Sequence, residues 1–160
     1  MISGDGEKIP RRYHLGVPTT LDLNDPRAVT RVLARGRIVL GLTLAVAPRL
    51  TGPLLGVPAQ TPATRYLARV AGVRDALIGL GMEISVREGR FPQGWVGIAG
   101  VVDIGDAVVG VVTRKVGLRA RLMSLGAAGS AALHLQLARA LDDAERAATD
   151  DGGAAAVSPS

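Results

Sequence analysis

The chain has 160 residues, of which 48% are hydrophobic and 21 are glycine, and it carries 19 Lys and Arg against 14 Asp and Glu. It has no cysteine, which excludes a disulfide framework, a thiolate metal centre and a cysteine nucleophile; the length fits one domain. The only aromatics are Tyr13, Tyr66, Phe91 and Trp95. Any core must therefore be built from Ala, Val, Leu and Gly, and the stacking residues or polar recognition helix of a nucleic-acid binder are missing.

Residues 1–24 are polar and punctuated by Gly4, Gly6, Pro10, Gly16 and Pro18, which predicts a solvated, uncleaved tail. The Arg11-Arg12 pair lies too far from the next apolar run, at Ile38, to read as an export signal. Asp25 followed by Pro26 predicts a helix start, the carboxylate accepting from free amides and the proline occupying the first turn. Arg27, Arg31 and Arg35 recur every four residues, so this start predicts a basic amphipathic extension along lipid headgroups.

Four apolar windows follow. Residues 38–56 contain Arg49 as their single charge, and residues 66–84 contain Arg69, Arg74, Asp75 and Glu83. Residues 94–112 contain Asp103 and Asp106, whereas residues 122–138 contain no formal charge and are flanked by Arg121 and Arg139. That last window spans about 25 Å as a helix and is the clearest membrane span of the four. A soluble bundle needs a charged outer face on every helix, and the last two windows offer none. The expected fold is all-α, an integral membrane four-helix bundle over residues 25–141. The segment 142–160 begins with Asp142, Asp143 and Glu145, continues through Asp150 and Asp151, and is expected to be a disordered acidic tail.

Charges at mid-membrane are costly, roughly 2.5 to 3.5 kcal/mol each on insertion scales, so Asp103 and Asp106 need support from a partner. Arg74 lies at the same depth in an antiparallel neighbour, and the sharpest expectation is that it pairs with Asp103 or Asp106. Ala99, Asp103, Asp106 and Gly110 share one helical face, while Arg69, Gly72, Ala76 and Glu83 form a small, polar stripe on the preceding helix. Ser130 and His134 are one turn apart on the last helix. Arg74, Asp75, Asp103, Asp106, Ser130 and His134 thus make a candidate intramembrane polar cluster, read first as an interhelical clasp and second as a proton or ion relay. Asp106 and His134 fall on opposite sides of the bilayer centre and are not expected to touch. His134 reads as a hydrogen-bonded interior histidine, and His14 supplies no second metal ligand at a credible spacing.

Enzyme motifs do not assemble. The Asp103-x-x-Asp106 pair lacks the second acidic motif of a magnesium diphosphate site, and Gly79-x-Gly81 lacks the third glycine and strand of a dinucleotide loop. No serine triad stands out. Catalytic, cofactor and metal sites are all expected to be absent.

Three segments, RIVLGLTLAVAPRL with Gly56 after it, LARVAGVRDALIGLG, and the tryptophan-led span carrying VVDIGDAVV, together with Arg74-Asp75 and Asp103/Asp106, carry a family likeness. Over residues 35–138 the chain resembles small four-helix membrane proteins of unassigned function from actinomycetes, similar in outline to the DoxX-like group. The resemblance implies the bundle and no particular chemistry. From the residues, the expected role is an accessory or assembly subunit in the bacterial inner (plasma) membrane. Its partners would be the lipid bilayer and either a larger complex or a second copy. A proton-coupled small-solute carrier using Asp103 and Asp106 is the alternative. Both termini are expected in the cytoplasm, on a cation tally of eight, including Arg37, against six.

Overall fold

A computed structural model describes residues 23–51, 61–113 and 117–156. Apart from Leu23 and Asn24, the expected polar tail lies outside these residues. The described chain is all-helical: α1 (Pro26–Val46), α2 (Pro48–Thr51), α3 (Pro62–Glu88), α4 (Pro92–Val112) and α5 (Leu118–Ala156). Four helices are long, and α2 is a single turn.

Prolines set the starts. α1, α3 and α4 each carry Pro in the first turn, where a missing N–H removes no helical bond. The Arg27 amide donates to Asp25 Oδ1 at 2.9 Å and the Thr64 amide to the Thr61 hydroxyl at 3.2 Å, so two starts are capped by side chains. α3 ends at Gly89, whose φ of 64° needs no Cβ, and Phe91 at φ 54° completes the tight turn into α4.

Three sequence expectations change here. The window 38–56 is not one span: Ala47 leaves helical geometry and Pro48 prevents α1 from continuing, so its charge-free part covers only residues 38–46. The expected basic extension is therefore the first half of α1 itself. Secondly, α4 is the one helix among the described residues long and apolar enough to cross a bilayer, whereas 122–138 was the clearest window by charge. Ser124, Ser130, His134 and Gln136 dilute the apolar content of that window, and Arg139 closes it. Thirdly, the acidic segment is helical through Ala156 rather than disordered. Arg146 pairs with Asp142 and, at 3.2 Å, with Asp143 one turn back. Gln93 Nε2 donates to Glu145 Oε2 at 2.7 Å, tying α5 to the start of α4.

α1 packs antiparallel along α3, and α4 along α5; the two pairs meet more sparsely. Glycine makes the first contact close. A Cβ on Gly41 would stand 2.5 Å from the Ala76 amide nitrogen, and one on Gly72 would stand 2.5 Å from the Gly41 carbonyl oxygen. Near the α3–α4 turn, Ala34, Ile78, Met82, Val96, Ala99, Leu137 and Leu141 form a core drawn from all four long helices. Elsewhere the usual arrangement is inverted. Val39, Leu77, Val101 and Leu125 are exposed, while Arg37, Asp75, Asp103 and His134 are turned inward.

Candidate functional site

The inward charges meet at mid-height between the two helix pairs. The Gly41–Gly72 contact holds α1 against α3 so that Arg37, one turn from Gly41, faces Asp75. On α4 the buried stripe runs through Val96, Ala99, Gly100, Asp103 and Ala107. Asp103 lies in its centre. A Cβ on Gly100 would sit 3.3 Å from the His134 Cβ, so α5 approaches closely and presents Ser130 and His134 to the same carboxylate.

Arg37 is the hub that crosses the divide. Its Nη2 donates to Asp103 Oδ1, and its Nη1 donates to Asp75 Oδ1 at 3.2 Å. Ser130 Oγ donates to Asp103 Oδ2 at 2.7 Å. His134 Nδ1 lies 2.8 Å from the Ser130 carbonyl oxygen, which only accepts, so this nitrogen carries a proton. The same nitrogen is 3.3 Å from Asp103 Oδ2, so Asp103 of α4 is bound by groups from both α1 and α5. The Asp103 side chain is 8% exposed and that of His134 2%. His134 Nε2 is buried and has no hydrogen-bond partner among the described residues.

A second centre lies one turn further along α4. Arg74 grips Asp106 with both ends of its fork, Nη1 to Oδ1 at 3.0 Å and Nη2 to Oδ2 at 2.6 Å, and Nη2 also reaches Asp75 Oδ1 at 3.4 Å. Here the side chains are 38% and 46% exposed.

The structure thus joins Arg74, Asp75, Asp103, Asp106, Ser130 and His134 through one network. Of the two pairings expected for Arg74, the structure makes the one with Asp106; Asp103 belongs to Arg37. Asp106 sits at the edge of the buried face rather than within it, because Asp103 and Ala107 take the inward positions. His134 meets Asp103, not Asp106. Sequence reasoning missed Arg37, assigning it to the headgroup rim with Arg35. The signal was present in its spacing from Gly41, which puts it on the small-residue face of α1. Glu83, expected on the small, polar stripe of its helix, is buried, and its partners were not foreseen: Arg35 Nη2 at 3.2 Å and Arg87 Nε at 2.9 Å.

Comparison with protein families, curated proteins and solved structures found no match. The chemistry must therefore be read from the cluster itself. Among the described residues no group of three or more His, Cys, Asp or Glu is arranged to hold a metal ion. In the cluster, guanidiniums already occupy the carboxylates, and Asp103, Asp75 and Asp106 bind fixed cations of the same chain. This arrangement can lock two helix pairs together and orient one histidine.

Proposed function

We propose that this chain is a multi-pass integral membrane protein that works as an accessory or assembly subunit, its two helix pairs clasped by the Arg37–Asp103 and Arg74–Asp106 pairs. The observation that carries the reading is the half-exposed Arg74–Asp106 pair at mid-height, set among exposed Val101, Ile104, Val108 and Leu77. The apolar surroundings suit lipid. α4, at 21 residues, is about 30 Å long, the thickness of a bilayer's hydrocarbon core. An ion pair left facing lipid at that depth is costly, whereas a helix of another membrane subunit laid over it would remove it from lipid and gain specificity.

The reading puts the chain in the plasma membrane with both termini cytoplasmic. Losing Arg37 to the cluster weakens the cation tally, but Lys8, Arg11 and Arg12 precede the first helix and favour the same side. A reporter fused within residues 114–121 that reads cytoplasmic overturns that orientation.

Copurification in mild detergent tests the role. The wild-type chain is expected to bring down a membrane partner, and Arg74→Gln/Asp106→Asn to lose it while remaining folded. Retention of the partner by that variant overturns the role assigned to the pair, and recovery of only a second copy of this chain replaces assembly with self-association.

The carrier reading keeps one observation in its favour. Three carboxylates face two guanidiniums, and His134 lies beside Asp103. Flux into vesicles driven by a pH gradient, and abolished by Asp103→Asn, would favour it over the accessory role.

A further inference from the structure

From residue 26 to residue 74, and again from 107 to 141, the sequence contains no Asp or Glu. Antiparallel packing gathers the middle of both stretches at the end of the molecule remote from the α3–α4 turn. Among the described residues that end carries Arg49, Arg65, Arg69, Arg119 and Arg121 and no carboxylate. The opposite end is balanced, with Arg35 and Arg87 on Glu83 and Arg146 on Asp142. At the acid-free end a cavity of about 430 Å³ is lined by Val46, Ala47, Pro48, Arg49, Arg65 and Arg69. Arg65 and Arg69 are four residues apart on one face of α3, so their like charges raise each other's energy unless an anion lies between them.

We propose that this cavity binds the phosphate of an anionic phospholipid, with Arg65 and Arg69 as its donors. Guanidinium forks match phosphate oxygens in pairs, which suits arginine better than lysine. A lipid is favoured over free phosphate by what lies beside the cavity. Tyr66, Val70, Val73 and Leu77 are exposed at helical spacing and form an apolar stripe leading from Arg65 and Arg69 toward the middle of α3, where an acyl chain would lie. A zwitterionic headgroup would bring its own cation toward Arg65 and Arg69, so selectivity for a net negative lipid follows. The proposal rests on the membrane reading for its source of phosphate.

The full chain in nanodiscs of equal phosphatidylglycerol and phosphatidylcholine, analysed by native mass spectrometry for retained lipid, provides the test. Phosphatidylglycerol is expected to be retained preferentially, and Arg65→Gln/Arg69→Gln to lower that preference about thirtyfold. Arg90→Gln, at the opposite end, should leave it unchanged. Arg65→Lys/Arg69→Lys, which keeps the charge, should retain an intermediate preference and guards against a misfolding artefact. Equal loss in Arg90→Gln, or no loss in the Gln double variant, overturns the proposal. Inorganic phosphate that displaces the lipid from the cavity at equal concentration would assign the cavity to free phosphate and overturn the lipid source. A chain that stays soluble without detergent sinks the membrane reading, whereas an anchored chain without lipid preference sinks the cavity alone.

Discussion

Asp103 and Asp106 stand one turn apart on the same helix, and each is bound by an arginine from the other helix pair, yet their surroundings differ. Asp103 is enclosed, with Arg37, Ser130 and His134 around it, whereas Asp106 has Arg74 as its partner and keeps nearly half its side chain open. A buried charge without its partner is severely penalised, whereas a pair at the surface can be covered by another helix or removed as a unit without opening the core. The first centre therefore belongs to the stability of the fold and the second to its surface.

The largest effect should come from Arg37→Leu, which strands Asp103 and loosens Asp75. A loss of about 3 to 5 kcal/mol is expected in detergent unfolding. Adding Asp103→Asn should recover part of it, and strictly additive losses would show that the two residues do not act as a pair. Gly72→Leu should follow, costing about 1 to 3 kcal/mol by forcing α1 off α3 and drawing Arg37 away from its acids. A cross-link between α1 and α4 should weaken in that variant while one between α3 and α4 persists. Ser130→Ala removes one hydrogen bond to Asp103 and should cost about 1 kcal/mol, read from the same unfolding midpoint. Arg74→Gln/Asp106→Asn, which removes both charges together and strands neither, should be mildest, at or below about 1 kcal/mol in the isolated chain. A loss as large as that of Arg37→Leu would erase the distinction between the two centres.

Much of this was legible in the residues. The four long helices follow from the four apolar windows and, for the first, from the start signal at Asp25-Pro26, and the meeting of Arg74, Asp106, Asp103, Ser130 and His134 follows from depth and helical phase. Arg37 was harder to place because charge-counting groups it with Arg35, its neighbour but on a different face. Only the backbone approach at Gly41 and Gly72 turns that face inward. The end of α1 was misjudged because a window average runs through Pro48, whereas the backbone does not. The helical acidic segment was misjudged for the opposite reason: composition predicts solvation, but Arg146 and Gln93 provide local partners for Asp142, Asp143 and Glu145.

α5 has 39 residues and α4, its packing partner, has 21, lengths of about 58 Å and 31 Å. If α4 just crosses a bilayer, about a third of α5, the part beyond about residue 142 where it passes the start of α4, stands clear of it on one side. The excess works as a mast. Whatever engages residues near 156 is held about 20 Å from the lipid surface, and the Gln93–Glu145 bond braces the mast at its foot. Shortening α5 by seven residues, two turns, would bring that point about 10 Å nearer the bilayer without altering the side it faces.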